Sequence, residues 1–207
     1  MTASTSSRSI TVAAACVVLA GVTACSSPAH PAASSSSSQI SVPTTVTAAP
    51  TPTPSTSAAA GSITSGDKSF SVVAPTGWKK FDAKPATLAI KAPSPQDKVD
   101  TNFNVVVQTP QPVPALDDVV SQAEIAWRQQ GVRVTDQPDR TIGGLPASGY
   151  TFTRTAQGTK FTQTQFFVVY REHVYSLTMT SAATSAASAA ADQALGAILS
   201  TWAWHQS

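Results

Sequence analysis

From Ser9 to Gly66 the chain contains no Asp, Glu, Lys or Arg, and from Ser26 onward this stretch is almost entirely Ser, Thr, Ala and Pro. A segment with so little large apolar surface cannot offset the entropy lost on ordering it, so the composition predicts disorder. The repeat Pro50-Thr51-Pro52-Thr53-Pro54 favours extended polyproline II, at about 3.1 Å per residue. Any hydrophobic core must therefore be built between about Asp67 and residue 207, a length typical of one domain. Every acidic residue lies in that part, and every basic residue except Arg8. Its charge is nearly balanced, which argues against nucleic acid as a partner, since that needs a clustered basic face. Lys79, Lys80 and Lys84 form a small basic group that reads as the solvated face of a hairpin.

Ahead of the charge-free tether, Arg8 precedes an apolar run from Ile10 to Val22, followed by Thr23, Ala24 and Cys25. A positive end, a short apolar middle and small residues at a cut site are the parts of a secretory signal. The run is too short to span a bilayer, which takes roughly 20 apolar residues. Val22-Thr23-Ala24-Cys25 reads as a lipobox, with cleavage between Ala24 and Cys25 and lipidation of Cys25. Cys16 would leave too short an apolar segment before it. With Cys16 removed in the signal, Cys25 has no disulfide partner, and its simplest use is acylation. The expected layout is a signal peptide over residues 1–24, a tether over 25–66 and a folded domain over 67–207. The domain would be exported and held by lipid at the outer face of the cytoplasmic membrane. Two or more acyl chains give a stable anchor, whereas one gives a marginal anchor.

Within the folded part, alternation predicts strands at Phe70–Ala74, Asn102–Gln108, Gly149–Thr155, Phe161–Tyr170 and Val174–Thr180. Val132 and Val134 begin a further strand, and Ile142 lies near the end of another. Pro75-Thr76-Gly77 marks a turn between Phe70–Ala74 and an extended segment restarting at Trp78, together an opening hairpin. Helical spacing of Leu116, Val119, Val120, Ala123 and Trp127 predicts a helix over 115–130, stopped by Gly131. A second, Ala-rich helix begins near Ser181 and carries Leu195, Ile198, Leu199 and Trp202 on one stripe. Two helices among antiparallel strands indicate an α+β fold: a sheet of about six strands flanked by the two helices.

Catalytic chemistry is hard to assemble from this chain. Nucleophilic hydrolysis needs a base held by an acid, and the domain has only His173, in a polar turn, and His205, near the end. No Gly-x-Ser-x-Gly elbow occurs. No metal-ligand spacing, phosphate-cradling loop or cofactor motif occurs either. Asp117 and Asp118 read as partners of a helix dipole, and Asp97 and Asp100 as solvated loop residues. Of the tryptophans, Trp127 and Trp202 sit on helix stripes and Trp204 lies beyond them. Trp78, at a turn, is the best single choice for a binding aromatic.

The run Phe70-Ser71-Val72-Val73-Ala74-Pro75-Thr76-Gly77-Trp78 resembles the opening of PsbP-like domains. With Gly144-Leu145-Pro146-Ala147, Tyr175-Ser176-Leu177-Thr178 and the ending Leu199-Ser200-Thr201-Trp202, the folded part resembles the LpqN/LpqT family of mycobacterial lipoproteins. The resemblance implies a six- or seven-stranded antiparallel sheet sandwiched between helices. It also implies a role at the cell envelope, engaging envelope lipids, glycolipids or proteins, with no catalytic motif to carry over. The tether's composition resembles the O-mannosylated linkers of some actinobacterial lipoproteins, with an unmodified spacer as the alternative. An esterase acting on envelope substrates and a surface lipoprotein without a small ligand are the alternatives. Cys25→Ser is expected to shift the protein from the membrane fraction to the soluble or secreted one, as fractionation and immunoblotting would show. Unchanged membrane retention would exclude the lipobox reading.

Overall fold

The computed structural model describes residues 61–205. The expected signal peptide, the Ala24–Cys25 cleavage site and the tether up to residue 60 lie outside the described residues.

The centre of the fold is a meander of four long strands, β6 (Val134–Ile142), β7 (Leu145–Ala156), β8 (Thr159–Tyr170) and β9 (His173–Ala182). They are joined by two-residue turns at Gly143-Gly144, Gln157-Gly158 and Arg171-Glu172, and every one of these residues has positive φ. Such turns match the twist of the strands they connect. At Gly143 the requirement is double, because a Cβ there would also lie 2.6 Å from Trp204 Nε1. Preceding the meander are β3 (Lys79–Lys80), β4 (Leu88–Lys91) and β5 (Asn102–Gln108). All seven form one antiparallel sheet in the order β3-β4-β5-β9-β8-β7-β6. The expected α+β class holds, with seven strands in the main sheet where about six were expected.

Helix α1 (Leu116–Gln129) carries the chain from β5 to β6, and α2 (Ser185–Ser200) follows β9. Asp117 and Asp118 are exposed in the first turn of α1, where negative charge complements the dipole. Its end is closed by Gly131 N–H donating to Arg128 O and Val132 N–H donating to Trp127 O, the paired bonds of a Schellman motif. Helix α2 starts four residues later than expected, because Ser181 and Ala182 still pair with β8. Thr184 then caps it, accepting from Ala187 N at 3.3 Å.

A second, three-stranded sheet was not legible in the sequence. In it, β2 (Phe70–Val73) lies between β1 (Ser62–Thr64) and β10 (Ala203–Trp204). Ordered structure thus begins before Asp67, the expected boundary, with Ile63 packed on the core. The opening hairpin is also corrected: β2 and β3 do not pair, and the turn closed by Trp78 N–H donating to Pro75 O carries the chain from one sheet to the other. The two expected strands around Val134 and Ile142 are one, with a register shift between Gln137 and Arg140. Pro138, which has no N–H to donate, sits at that bulge on an edge strand.

The large sheet has two unlike faces. On the inner face Leu88, Ile90, Phe103, Val105, Phe166, Val168, Leu177 and Met179 form one apolar core with α2 and the small sheet. On the outer face α1 packs against β6, β7 and β8, burying Val119, Ala123 and Trp127 against Tyr150, Phe152 and Phe167. Where β7 pairs with β8, Gly149 leaves no room, since a Cβ would lie 2.0 Å from the Gln165 carbonyl oxygen. Gly149→Ala is therefore expected to cost about 3 kcal/mol or more, measured as a lowered denaturation midpoint in urea. A change below about 0.5 kcal/mol would contradict this packing.

Candidate ligand cavity

At one end of the inner face, between the β8–β9 turn and the small sheet, lies a cavity of about 350 Å³. It is lined by Asp67, Ser69, Thr87, Val107, Thr109, Tyr170, Arg171, His173, Tyr175 and His205. The residues come from five parts of the chain, so no local spacing advertises the site. Hairpin geometry places His173 two residues from Tyr175 on one face of β9. His205 arrives with β10, where its N–H donates to Ser69 O at 2.9 Å.

Each imidazole is held by a hydroxyl. His173 Nδ1 shares a hydrogen bond with Thr109 Oγ1 at 2.8 Å, and His205 Nε2 shares one with Ser71 Oγ at 2.9 Å. Asp67 turns away from both histidines in its hydrogen bonding, accepting from Ser69 Oγ at 2.9 Å and Ser69 N at 3.3 Å. The wall is aromatic: Tyr175 is buried, and Trp204 stands behind the cavity with ring centroids 4.7 Å from Tyr170 and 4.8 Å from Tyr175. Burial raises the Tyr175 phenol above the usual tyrosine range, opposed by its hydrogen bond with Ser69 and reinforced by the Asp67 charge. The arrangement offers hydroxyl, imidazole and aromatic surface together, which suits recognition of a small polar group.

The sequence treated His173 as a solvated turn residue and His205 as a tail residue, and the structure brings both into one cavity. A clue lay in β9, where His173 and Tyr175 share an alternation with buried Leu177 and Met179. The β2–β10 pairing that delivers His205 had no sequence signature. Trp78 is half-buried, packs at the edge of the core and does not line the cavity. Trp127, Trp202 and Trp204 are buried. Asp100, expected in solvent, is buried and pairs with Lys91 at 3.1 Å. Among the described residues, no three His, Cys, Asp or Glu are grouped to hold a metal ion. No described helix is long and apolar enough to cross a membrane.

No protein-family profile and no curated protein matches the chain. Solved structures do. The crystal structure of LpqN, a protein involved in cell envelope biogenesis of Mycobacterium tuberculosis, superposes with a TM-score of 0.53 at 15% identity, covering 70% of this chain and 90% of LpqN. That likeness shows a shared fold. A Bacteroides thetaiotaomicron protein matches with a TM-score of 0.49 at 14% identity; the match covers 70% of this chain and 48% of that longer one. A Pseudomonas aeruginosa protein of unknown function matches with a TM-score of 0.42 at 19% identity, over 57% of this chain and 75% of its own.

Tyr150 and Tyr175 are both pushed up by burial. The unfolded chain therefore loses these protons first as pH rises, and the folded state loses stability above the ordinary phenol range of about 10. Denaturant melts from neutral to strongly alkaline pH are expected to show this decline, and Tyr150→Phe is expected to flatten it. A decline of the same slope in Tyr150→Phe would contradict the assignment.

Proposed function

We propose that this chain is a membrane-tethered envelope protein whose folded domain binds its ligand without transforming it, the cavity receiving the polar head group of an envelope lipid or glycolipid. The observation that carries this reading is the meeting of His173, His205, Tyr170 and Tyr175 around one cavity. About 350 Å³ lies at the small end of ligand sites, a size suited to a head group. The aromatic and hydrogen-bonding lining suits the same chemistry. The lipobox at Cys25 and the fold shared with LpqN support an envelope setting.

Two contacts favour the hydrolase alternative, and the first is Thr109 Oγ1, which lines the cavity 2.8 Å from His173 Nδ1. Ser71 Oγ and His205 Nε2 are 2.9 Å apart, the distance of a nucleophile–base pair. However, Ser71 is 1% exposed, sits mid-strand between β1 and β10, and does not line the cavity. The Ser71–His205 pair thus orients the imidazole and presents no nucleophile to a substrate.

Native mass spectrometry of the protein, incubated with lipids extracted from its own envelope, tests the proposal. Intact lipid is expected to be retained. Tyr170→Ala and His205→Ala are each expected to weaken retention about tenfold, the loss of one or two hydrogen-bonding or packing contacts. Quenching or shift of Trp204 emission on binding would locate the ligand. Release of a cleaved product, abolished in His173→Ala or His205→Ala, would favour the hydrolase. Retention of an envelope protein and no lipid would make the domain an adaptor and overturn the head-group reading.

A further inference from the structure

The three turns of the meander place unlike residues in one backbone conformation. Every central position has positive φ, which residues other than glycine adopt uncommonly. The β6–β7 turn meets this demand with Gly143-Gly144 and the β7–β8 turn with Gln157-Gly158. The β8–β9 turn, which borders the cavity, instead carries Arg171 at φ 46° and Glu172 at φ 54°. Residues held in this way cluster at ligand clamps. Here the turn sets a guanidinium in the cavity lining, 5.2 Å from the Tyr170 ring centroid.

A carboxylate lines the same cavity. Asp67 stands in the turn between β1 and β2, so the two charges arrive on turns of different sheets. Burial raises the Tyr175 phenol and the Ser69 hydrogen bond lowers it; beyond these, Asp67 pushes it up and Arg171 pulls it down. Both charges thus act on one group inside the cavity. Asp67 accepts from Ser69 N and Ser69 Oγ through different oxygens, which leaves each oxygen a further lone pair. His173 and His205 each engage one ring nitrogen with a hydroxyl. When that hydroxyl donates, the other nitrogen bears the N–H and can donate to a ligand oxygen.

We infer that the cavity takes a zwitterionic head group of the phosphoethanolamine class, a phosphoryl group and a primary amine on one short linker. This rests on the head-group reading above and narrows it. Arg171 and the two imidazoles face the phosphoryl oxygens, where charge-assisted hydrogen bonds are the strong ones. Asp67 accepts from the ammonium. A ligand with the anion alone meets Asp67 as a like charge, and a neutral sugar uses neither charge. Selectivity therefore comes from repulsion as well as attraction.

Isothermal titration of the full chain carrying Cys25→Ser tests this. The probes are dihexanoyl phosphatidylethanolamine, dihexanoyl phosphatidylglycerol, free phosphoethanolamine and octyl glucoside, the lipids and detergent below their micelle concentrations. Phosphatidylethanolamine is expected to bind about tenfold or more tightly than phosphatidylglycerol. Binding of free phosphoethanolamine as well would mark the head group as sufficient, and binding of the lipid alone a lipid-borne ligand; either supports the inference. Asp67→Asn is expected to weaken phosphatidylethanolamine about tenfold and leave phosphatidylglycerol unchanged or tighter. Should that variant fail to fold, Arg171→Gln carries the test, weakening both phospholipids about tenfold and octyl glucoside not at all. The inference is overturned if phosphatidylglycerol or octyl glucoside binds as tightly as phosphatidylethanolamine, if Asp67→Asn weakens both phospholipids alike, or if Arg171→Gln weakens neither. Octyl glucoside binding of that strength, lost in Tyr170→Ala, would leave the head-group reading standing. Silence of all four probes overturns the inference, and the head-group reading with it when no envelope lipid is retained.

Discussion

The aromatic stack between the two sheets holds the cavity in place. Phe70 of β2 lies flat on Trp202 at 4.2 Å with planes 13° apart, Trp202 meets Trp204 at 5.1 Å, and Trp204 meets Tyr175 of β9 at 4.8 Å. Removing one such ring from a packed core costs about 3–5 kcal/mol. Because β10 is only two residues long, its backbone pairing with β2 is too little to hold it alone. The rings supply the rest, joined by Trp204 Nε1 donating to Ile142 O at 3.2 Å. His205 follows directly and inherits its position from them. Cavity geometry is thus a consequence of core packing some residues away.

The same sheet carries two chemically unlike faces. Its inner face is continuous apolar surface against α2 and the small sheet, and its outer face changes from aromatic under α1 to amide and hydroxyl beyond it. The two regimes meet at one relay, Trp127 Nε1 donating to Tyr150 OH and Tyr150 OH donating to Gln165 Oε1, at 3.1 and 2.9 Å. Arg154 marks the same border, its guanidinium 5.2 Å from the Trp127 ring centroid and 5.1 Å from that of Phe161. Burial lowers its pKa, and the cation–π contacts give the charge a partner that water cannot.

Much of the fold was legible because it is written locally. The Leu116–Trp127 stripe, the alternation in β5, β8 and β9, and the Gly-containing turns each name their element within a few residues. What was missed depends on pairings across long separations. The small sheet joins Ser62, Ser71 and Ala203, and β1 and β10 are too short to show a period. Ser181 and Ala182 read as helix because Ala-rich composition favours it, yet pairing with Thr162 and Phe161 extends the strand instead. The cavity was invisible for the same reason. His173 and His205 each have a bland local explanation, and only the sheet-to-sheet packing puts them together. The buried polar residues of the outer face had a visible trace, the Asn, Gln and Thr residues alternating with Phe103, Phe166 and Leu177, but alternation alone also describes a strand with one face in water.

The central claim is that the domain seats a polar head group in the histidine-lined cavity and leaves it intact. Hydrogen–deuterium exchange, measured with and without envelope lipid extract, addresses it most directly. Protection is predicted in segments 67–71, 170–175 and 203–205, with the lipid recovered unchanged. Exchange that is unaltered in all three segments, or lipid recovered as a cleaved product, would contradict the account.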